Sequence, residues 1–311
     1  MSATATSSPA TLDHLRDLGV AWMNRGHELM IQDHRVSLEA SLAAYNEAIT
    51  VLRQLPTTEN AGWANSLGAA LMNRGQLLHR LHGIEQATVA LAAFDEAAAL
   101  LQPLVSTSAS PSALQSFSLS SSPWPRRNLT GTLLNRASLL LDLAQFSTAA
   151  STAREALALA TPHERLDLIE ADLALKLRRC LCDAIGRLIV EPGADQNTLA
   201  TAASDLVDES LALIRHWASR HPNAFASLAL RFFRYGTQLY RLHQPQFLAE
   251  FIQENLSADN PELRAIALAA IDDALADQPR DGAFLTIGDP ASERRLEIWR
   301  ELSTLRTRLA A

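Results

Sequence analysis

The sequence predicts an all-α protein built as a helical-hairpin solenoid, with about twelve helices and a C-terminal capping helix. Three observations carry this. The chain has 311 residues with only 12 glycines and 13 prolines, and Ala and Leu dominate a 48% hydrophobic content, a bias toward helix with enough apolar surface for a core. The phrase hydrophobe-Asn-Arg-small recurs as "AWMNRGHELM" (21–30), "ALMNRGQLLH" (70–79) and "TLLNRASLLL" (132–141). Downstream landmarks recur at the same offset: Asn24 to Asn73 and Tyr45 to Phe94 are both separations of 49 residues, the mark of an internal repeat.

Each copy reads as two antiparallel helices, because the apolar spacing within it is helical. Gly26, Gly75 and Ala137 are the small residues that let the second helix approach closely. The second helix contributes small residues at Ser41, Ala90 and Ala149, and again at Ala48, Ala97 and Ala156. Tyr45 and Phe94 are expected to fill the space between the two helices of their copies, with Ala153 at that place in the third. The first two copies carry three extra residues between their landmarks, nearly one helical turn, so longer hairpins are expected there. Each copy is expected to end at a proline, Pro56, Pro103 or Pro162, since proline lacks the N–H and clashes with the preceding turn. One such hairpin cannot bury both faces alone, so neighbours must stack.

The expected organisation is a disordered tail over 1–10, repeats 1 and 2 over 11–103, a Ser/Pro-rich linker over 104–127, repeat 3 over 128–162, degenerate hairpins over 163–257, and C-terminal helices with a cap over 258–311. Residues 163–190 read as one long amphipathic helix, with its partner beginning near residue 198. Gly236 and Phe251 mark a degenerate fifth unit. Helices are expected over 261–277 and 292–310, the last one charged on one face and apolar on the other, as suits a cap. Trp124, in the linker, is expected to fold over a junction between units, because a bare indole is costly.

The net charge of −7 argues against a broad nucleic-acid surface, which needs a Lys/Arg excess. The basic cluster Lys176, Arg178 and Arg179 reads as a solvated helix face. No stretch of about 18 apolar residues is evident to span a membrane, and "MSATATSSPA" has neither a basic start nor an apolar run, so a cytoplasmic protein with no membrane partner is expected. Cys180 and Cys182 point ~200° apart on a helix and read as buried, reduced thiols. There is no Gly-rich phosphate loop, no nucleophile elbow and no His-Glu-x-x-His, so the reading is non-catalytic, with no cofactor and no metal. His79 and His82 have a metal-compatible spacing without a supporting Cys or carboxylate cluster, and read as surface histidines.

The Asn-Arg pair is the remaining signal. Asn is a mediocre helix former, so its return at one helical place requires a reason. Arg25, Arg74 and Arg136 are expected to lay their stems between helices and pair with Glu47, Glu96 and Glu155 or their neighbours, with Glu96 or Glu47 favoured for Arg74.

These residues, over 18–162, resemble the tetratricopeptide repeat (TPR) family, in the variant with Asn-Arg-Gly in the first helix. The resemblance implies a helical solenoid with a concave groove. In that family the Asn lies on the concave face and contacts the backbone of a bound peptide. Carried over, it implies a partner-binding set of Asn24, Asn73 and Asn135, flanked by Met23, His27 and His79, with Gly131 also in the groove. The lysines of the subtype that clamps the C-terminal carboxylates of chaperones are missing at Met23, His27, Asn73, Gly131 and Asn135. The expected function is an adaptor or scaffold that binds a protein or an extended peptide. The alternative is a structural or self-oligomerising scaffold whose groove is occupied, for instance by residues 104–127. A competing reading of the asparagines is that each bonds within its own scaffold.

Overall fold

In a computed structural model of the chain, the described residues are 9–106, 123–159, 167–189, 191–218, several positions between 264 and 275, and 290–310. They are helices joined by turns, with no strand among them. The chain divides into two compact units, Met1–Ala160 and Thr161–Ala311.

In the first unit α1 (Pro9–Ile31) pairs with α2 (Arg35–Leu52), α3 (Ala61–His82) with α4 (Ala87–Ser106), and α5 (Trp124–Asp142) with α6 (Phe146–Ala158). Successive hairpins touch, α2 against α3 and α4 against α5, and α3 also lies beside α5. The local signals are readable. Asp33 turns the chain at φ 55, after which Ser37 and His34 form a reciprocal cap: Ser37 Oγ donates to the His34 carbonyl at 2.8 Å and accepts from the His34 N–H at 3.2 Å. Asn60 caps α3 by accepting from the N–H groups of Gly62 and Trp63 at 2.8 and 3.2 Å.

Inside the first two hairpins the small residue and the aromatic meet as expected. Tyr45 and Phe94 are 1% and 0% exposed. A Cβ on Gly26 would stand 2.8 Å from Tyr45 Cε2, and one on Gly75 only 2.5 Å from Phe94 Cε1. Those glycines therefore exist because the ring lies directly on the helix backbone. In the third hairpin Ala137 and Ala153, at the matching places of the repeat, are both fully buried. In the first hairpin a polar link is added: Ser41 Oγ donates to the Gly26 carbonyl at 2.7 Å.

Several boundaries differ from expectation. Helix α1 begins at Pro9, so the expected tail shrinks, and residues 1–8 lie outside the described residues. Pro103 does not end the second repeat; α4 runs through it to Ser106. Pro103 lies on an exposed flank of the last turns, where a carbonyl deprived of its N–H partner can bind water. Similarly, α5 already begins at Trp124, with Pro125 in its first turn, so 124–127 is helix and not linker. Residues 107–122 and Pro162 fall outside the described residues. A hydropathy window apolar enough to cross a membrane exists within Ala61–Ser106, but the stretch is broken by the 3₁₀ turn Gly83–Gln86 into the α3–α4 hairpin.

The face that α1 turns away from the stack differs in kind from its counterparts. Leu67 and Leu77 of α3, and Leu129 and Leu139 of α5, are buried. At the corresponding places α1 carries Leu18, 39% exposed, and the exposed Glu28. A polar replacement at a position otherwise filled by leucine suits contact with water.

In the second unit α7 (Leu168–Leu188) packs against α8 (Gln196–Ala218). Asp167 caps α7 through the Glu170 N–H at 3.0 Å. The basic cluster on α7 is not one solvated face. Lys176 is exposed and pairs with Asp172, whereas Arg178 is 7% exposed and donates to Glu209 at 3.2 Å and to the Ala174 carbonyl at 3.3 Å. Cys180 and Cys182 are both buried. The last helix, α9 (Pro290–Ala310), buries Leu302 and Leu305 and receives a bond from Arg264 on the carbonyl of Leu309. The expected degenerate unit around Gly236 and Phe251 lies outside the described residues, as does most of 219–289, into which the expected total of twelve helices reaches.

Candidate functional site

The first helices of hairpins two and three meet along a polar seam. Asn128 Nδ2 donates to Asn65 Oδ1 at 3.0 Å near one end, and His79 Nε2 donates to Asp142 Oδ2 at 2.7 Å near the other. Between them, a Cβ on Gly131 would stand 3.2 Å from Met72 Sδ. The two helices therefore run side by side in register, as stacked equivalent units require.

The repeated Asn and Arg lie beside this seam, and they divide their work. Arg74 Nε donates to Asn46 Oδ1 at 2.9 Å, and Arg136 Nε donates to Asp95 Oδ1 at 2.8 Å. Asn46 and Asp95 are themselves equivalent, 49 residues apart, each following the buried aromatic. The arginine of one hairpin thus grips the second helix of the hairpin before it. This corrects the expected pairing of Arg74 with Glu96 or Glu47. Glu96 is held by Arg53 at 2.7 and 2.9 Å, and Arg74 has an amide oxygen as its partner. Partial burial pulls the Arg74 pKa down, the neighbouring Arg53 adds to this, and Glu96 opposes it. Arg136 also donates to Thr152 Oγ1 at 2.8 Å, so it links three helices. Among the described residues Arg25 pairs with the exposed Glu28 of its own helix, at 3.4 Å.

Arg136 is the strut with the most connections, and Arg136→Met should destabilise the first unit by about 1 kcal/mol in urea unfolding. The exposed side of Asp95 holds the figure near the range of a surface pair. A midpoint unchanged within error would show that the strut contributes nothing net.

The asparagines behave unequally. Asn73 Nδ2 donates to Tyr45 Oη at 3.1 Å, so this Asn is bonded to the scaffold. Burial pushes the Tyr45 phenol up to about 12, against the opposing effect of the Asn73 bond, so the group remains a hydroxyl at ordinary pH. The side chains of Asn24 and Asn135 take no hydrogen bond among the described residues. Asn24 is exposed and Asn135 half-buried. The residue that matches Tyr45 in the hairpin before Asn135 is Phe94, which has no hydroxyl, and Asn24 lies in the first described hairpin.

The flanking residues also separate. His27 is exposed. Met23 is partly buried against the core cluster around Tyr45 and Leu52, so packing occupies it. His79 is the seam contact to Asp142 and not a free side chain. Trp124 does not cover a junction: it is 56% exposed, with the Arg127 guanidinium 5.5 Å from its ring centre. The role of Tyr45 as a hydrogen-bond partner was not anticipated from sequence. The signal was present in the Tyr/Phe difference between otherwise matching copies.

Among the described residues no group of three or more His, Cys, Asp or Glu is placed to hold a metal ion. Burial pushes the Asp183 carboxyl on α7 up to about 6, against the pull of Arg179 and Arg187. No protein-family model and no curated protein matches this chain.

Proposed function

We propose that the hairpins of residues 9–159 form a TPR-like solenoid that binds an extended peptide, or a protein presenting one, along the face shared by α1, α3 and α5. The protein would act as a non-catalytic adaptor or scaffold. The supporting observation is the division of labour within the repeated Asn-Arg pair. Arg74 and Arg136 are engaged in joining hairpins, while Asn24 and Asn135 have no scaffold bond among the described residues. An amide on a helix surface costs propensity and gives the fold nothing in return unless it is used elsewhere. Each amide both donates and accepts, which matches the N–H and C=O of an extended backbone. A reducing compartment such as the cytoplasm is part of this reading, since Cys180 and Cys182 lie two residues apart on one helix and point about 200° away from each other, too far round to bridge.

The test uses the full chain, immobilised, and a phage-displayed library of random peptides. The wild-type chain should retain a set of peptides that the Asn24→Ala/Asn135→Ala chain, verified as helical, does not. Helices in a stack lie about 10 Å apart, so Asn24 and Asn135 are ~20 Å apart over two steps, the reach of roughly six extended residues, and a library of about twelve residues is long enough. Failure to retain any peptide, or retention indifferent to the double substitution, would reject the reading.

A further inference from the structure

The repeat invites the assumption that its three asparagines are interchangeable, and the geometry shows that they are not. We propose that Tyr45 selects which amides serve a bound peptide, tying Asn73 to the scaffold and leaving the anchoring to Asn24 and Asn135. This rests on the peptide-binding reading above.

Tyr45 acts from behind. Its ring lies on Gly26 within its own hairpin, and its hydroxyl emerges at the next one to accept the Asn73 N–H at 3.1 Å. The residue is 1% exposed, so the hydroxyl cannot exchange this bond for water without leaving the core. The Asn73 amide is therefore held in one orientation. Its Oδ1 and second N–H stay open only in the orientation that the tyrosine fixes, so turning the amide to suit a ligand would break a partly buried hydrogen bond, whereas Asn24 and Asn135 have no such bond to break among the described residues. Phe94 occupies the same position one hairpin later, with the ring likewise on its glycine, at Gly75, and without the hydroxyl. The chain thus contains its own control. A peptide would be anchored at two points, two hairpins apart, and pass the middle one with its backbone less constrained.

The experiment begins with random peptides displayed on phage, depleted on the Asn24→Ala/Asn73→Ala/Asn135→Ala chain and then selected on the wild type. Individual peptides are titrated by fluorescence anisotropy. Asn135→Ala should weaken binding about three- to tenfold, the equivalent of one or so lost hydrogen bonds, and Asn73→Ala less than twofold. Phe94→Tyr should reproduce the Asn135→Ala loss by giving Asn135 a hydroxyl to bond. In a Tyr45→Phe chain, Asn73→Ala should become as costly as Asn135→Ala, a coupling that a purely structural role for Tyr45 would not produce. If Asn73→Ala is as damaging as Asn135→Ala in the wild-type chain, or if Tyr45→Phe leaves the cost of Asn73→Ala unchanged, the selection role of Tyr45 is wrong while peptide binding stands. If the depleted library yields no peptide at all, the peptide-binding reading fails and the role of Tyr45 falls with it.

Discussion

Replacing Phe94 by Ala should lower the stability of the first unit by about 3–5 kcal/mol, the largest single-residue effect expected in this protein. Phe94 is fully buried and sits where three helices meet. Its cluster joins Leu78 of α3, Ala87 and Ala90 of its own helix α4, and Leu139 of α5. Ala90 and Leu139 are 0% exposed, so the neighbours have no slack with which to fill the space left by the ring. The residual cavity therefore adds to the lost transfer energy. At ~2–4 °C per kcal/mol for a unit of this size, the thermal midpoint should fall by about 6–20 °C. Circular dichroism of the full chain, with the first transition followed separately if the two units unfold apart, measures it. A loss under about 1 kcal/mol would mean that α3, α4 and α5 are not joined through this ring.

Gly75→Ala should also destabilise, against the direction that helix propensity alone dictates. In the interior of a helix Ala is favoured over Gly by about 1 kcal/mol. The added Cβ, however, would stand 2.5 Å from Phe94 Cε1 and 2.9 Å from two further ring atoms. Such overpacking costs about 1–3 kcal/mol, because ring and helix must shift apart inside a closed core. The net expectation is a loss of up to about 2 kcal/mol. Hairpin three carries Ala137 and Ala153 at the matching places of the repeat, and both are fully buried. Gly75→Ala combined with Phe94→Ala should therefore cost less than the two losses added, by at least about 1 kcal/mol, the signature of directly contacting residues. Urea unfolding of the four chains of the cycle gives the coupling. A stabilising Gly75→Ala, or strict additivity, would refute the contact.

How much of this was legible in the sequence depended on the kind of interaction. The Gly26–Tyr45 and Gly75–Phe94 contacts were legible because size complementarity acts at one repeating distance, and the chain shows the same 49-residue offset at both landmarks. Arginine partners were legible only to within a residue: the glutamates or their neighbours were expected, and the neighbours Asn46 and Asp95 are what Arg74 and Arg136 meet. Neighbouring helical residues are rotated by about 100°, so the shift from Glu47 to Asn46, or from Glu96 to Asp95, is a change of face. Only the placement of α3 against α2, and of α5 against α4, decides which of the two the guanidinium meets. The end of α4 was misread for a related reason. Proline removes one N–H and crowds one carbonyl, and whether that stops a helix depends on water reaching the freed carbonyl, a matter of tertiary exposure.

The asparagines divide along the same line. Sequence alone determined the hairpins, their small-on-aromatic packing and the recurrence of an amide at one helical place, because these depend on periodicity and side-chain volume. Tertiary structure alone decided that Asn73 is bonded to Tyr45, that His79 is held by Asp142 and that Met23 is drawn toward the core. A hydrogen bond requires a donor and an acceptor about 3 Å apart, and residues separated by 28 or 63 positions reach that distance only when the helices carrying them have been packed.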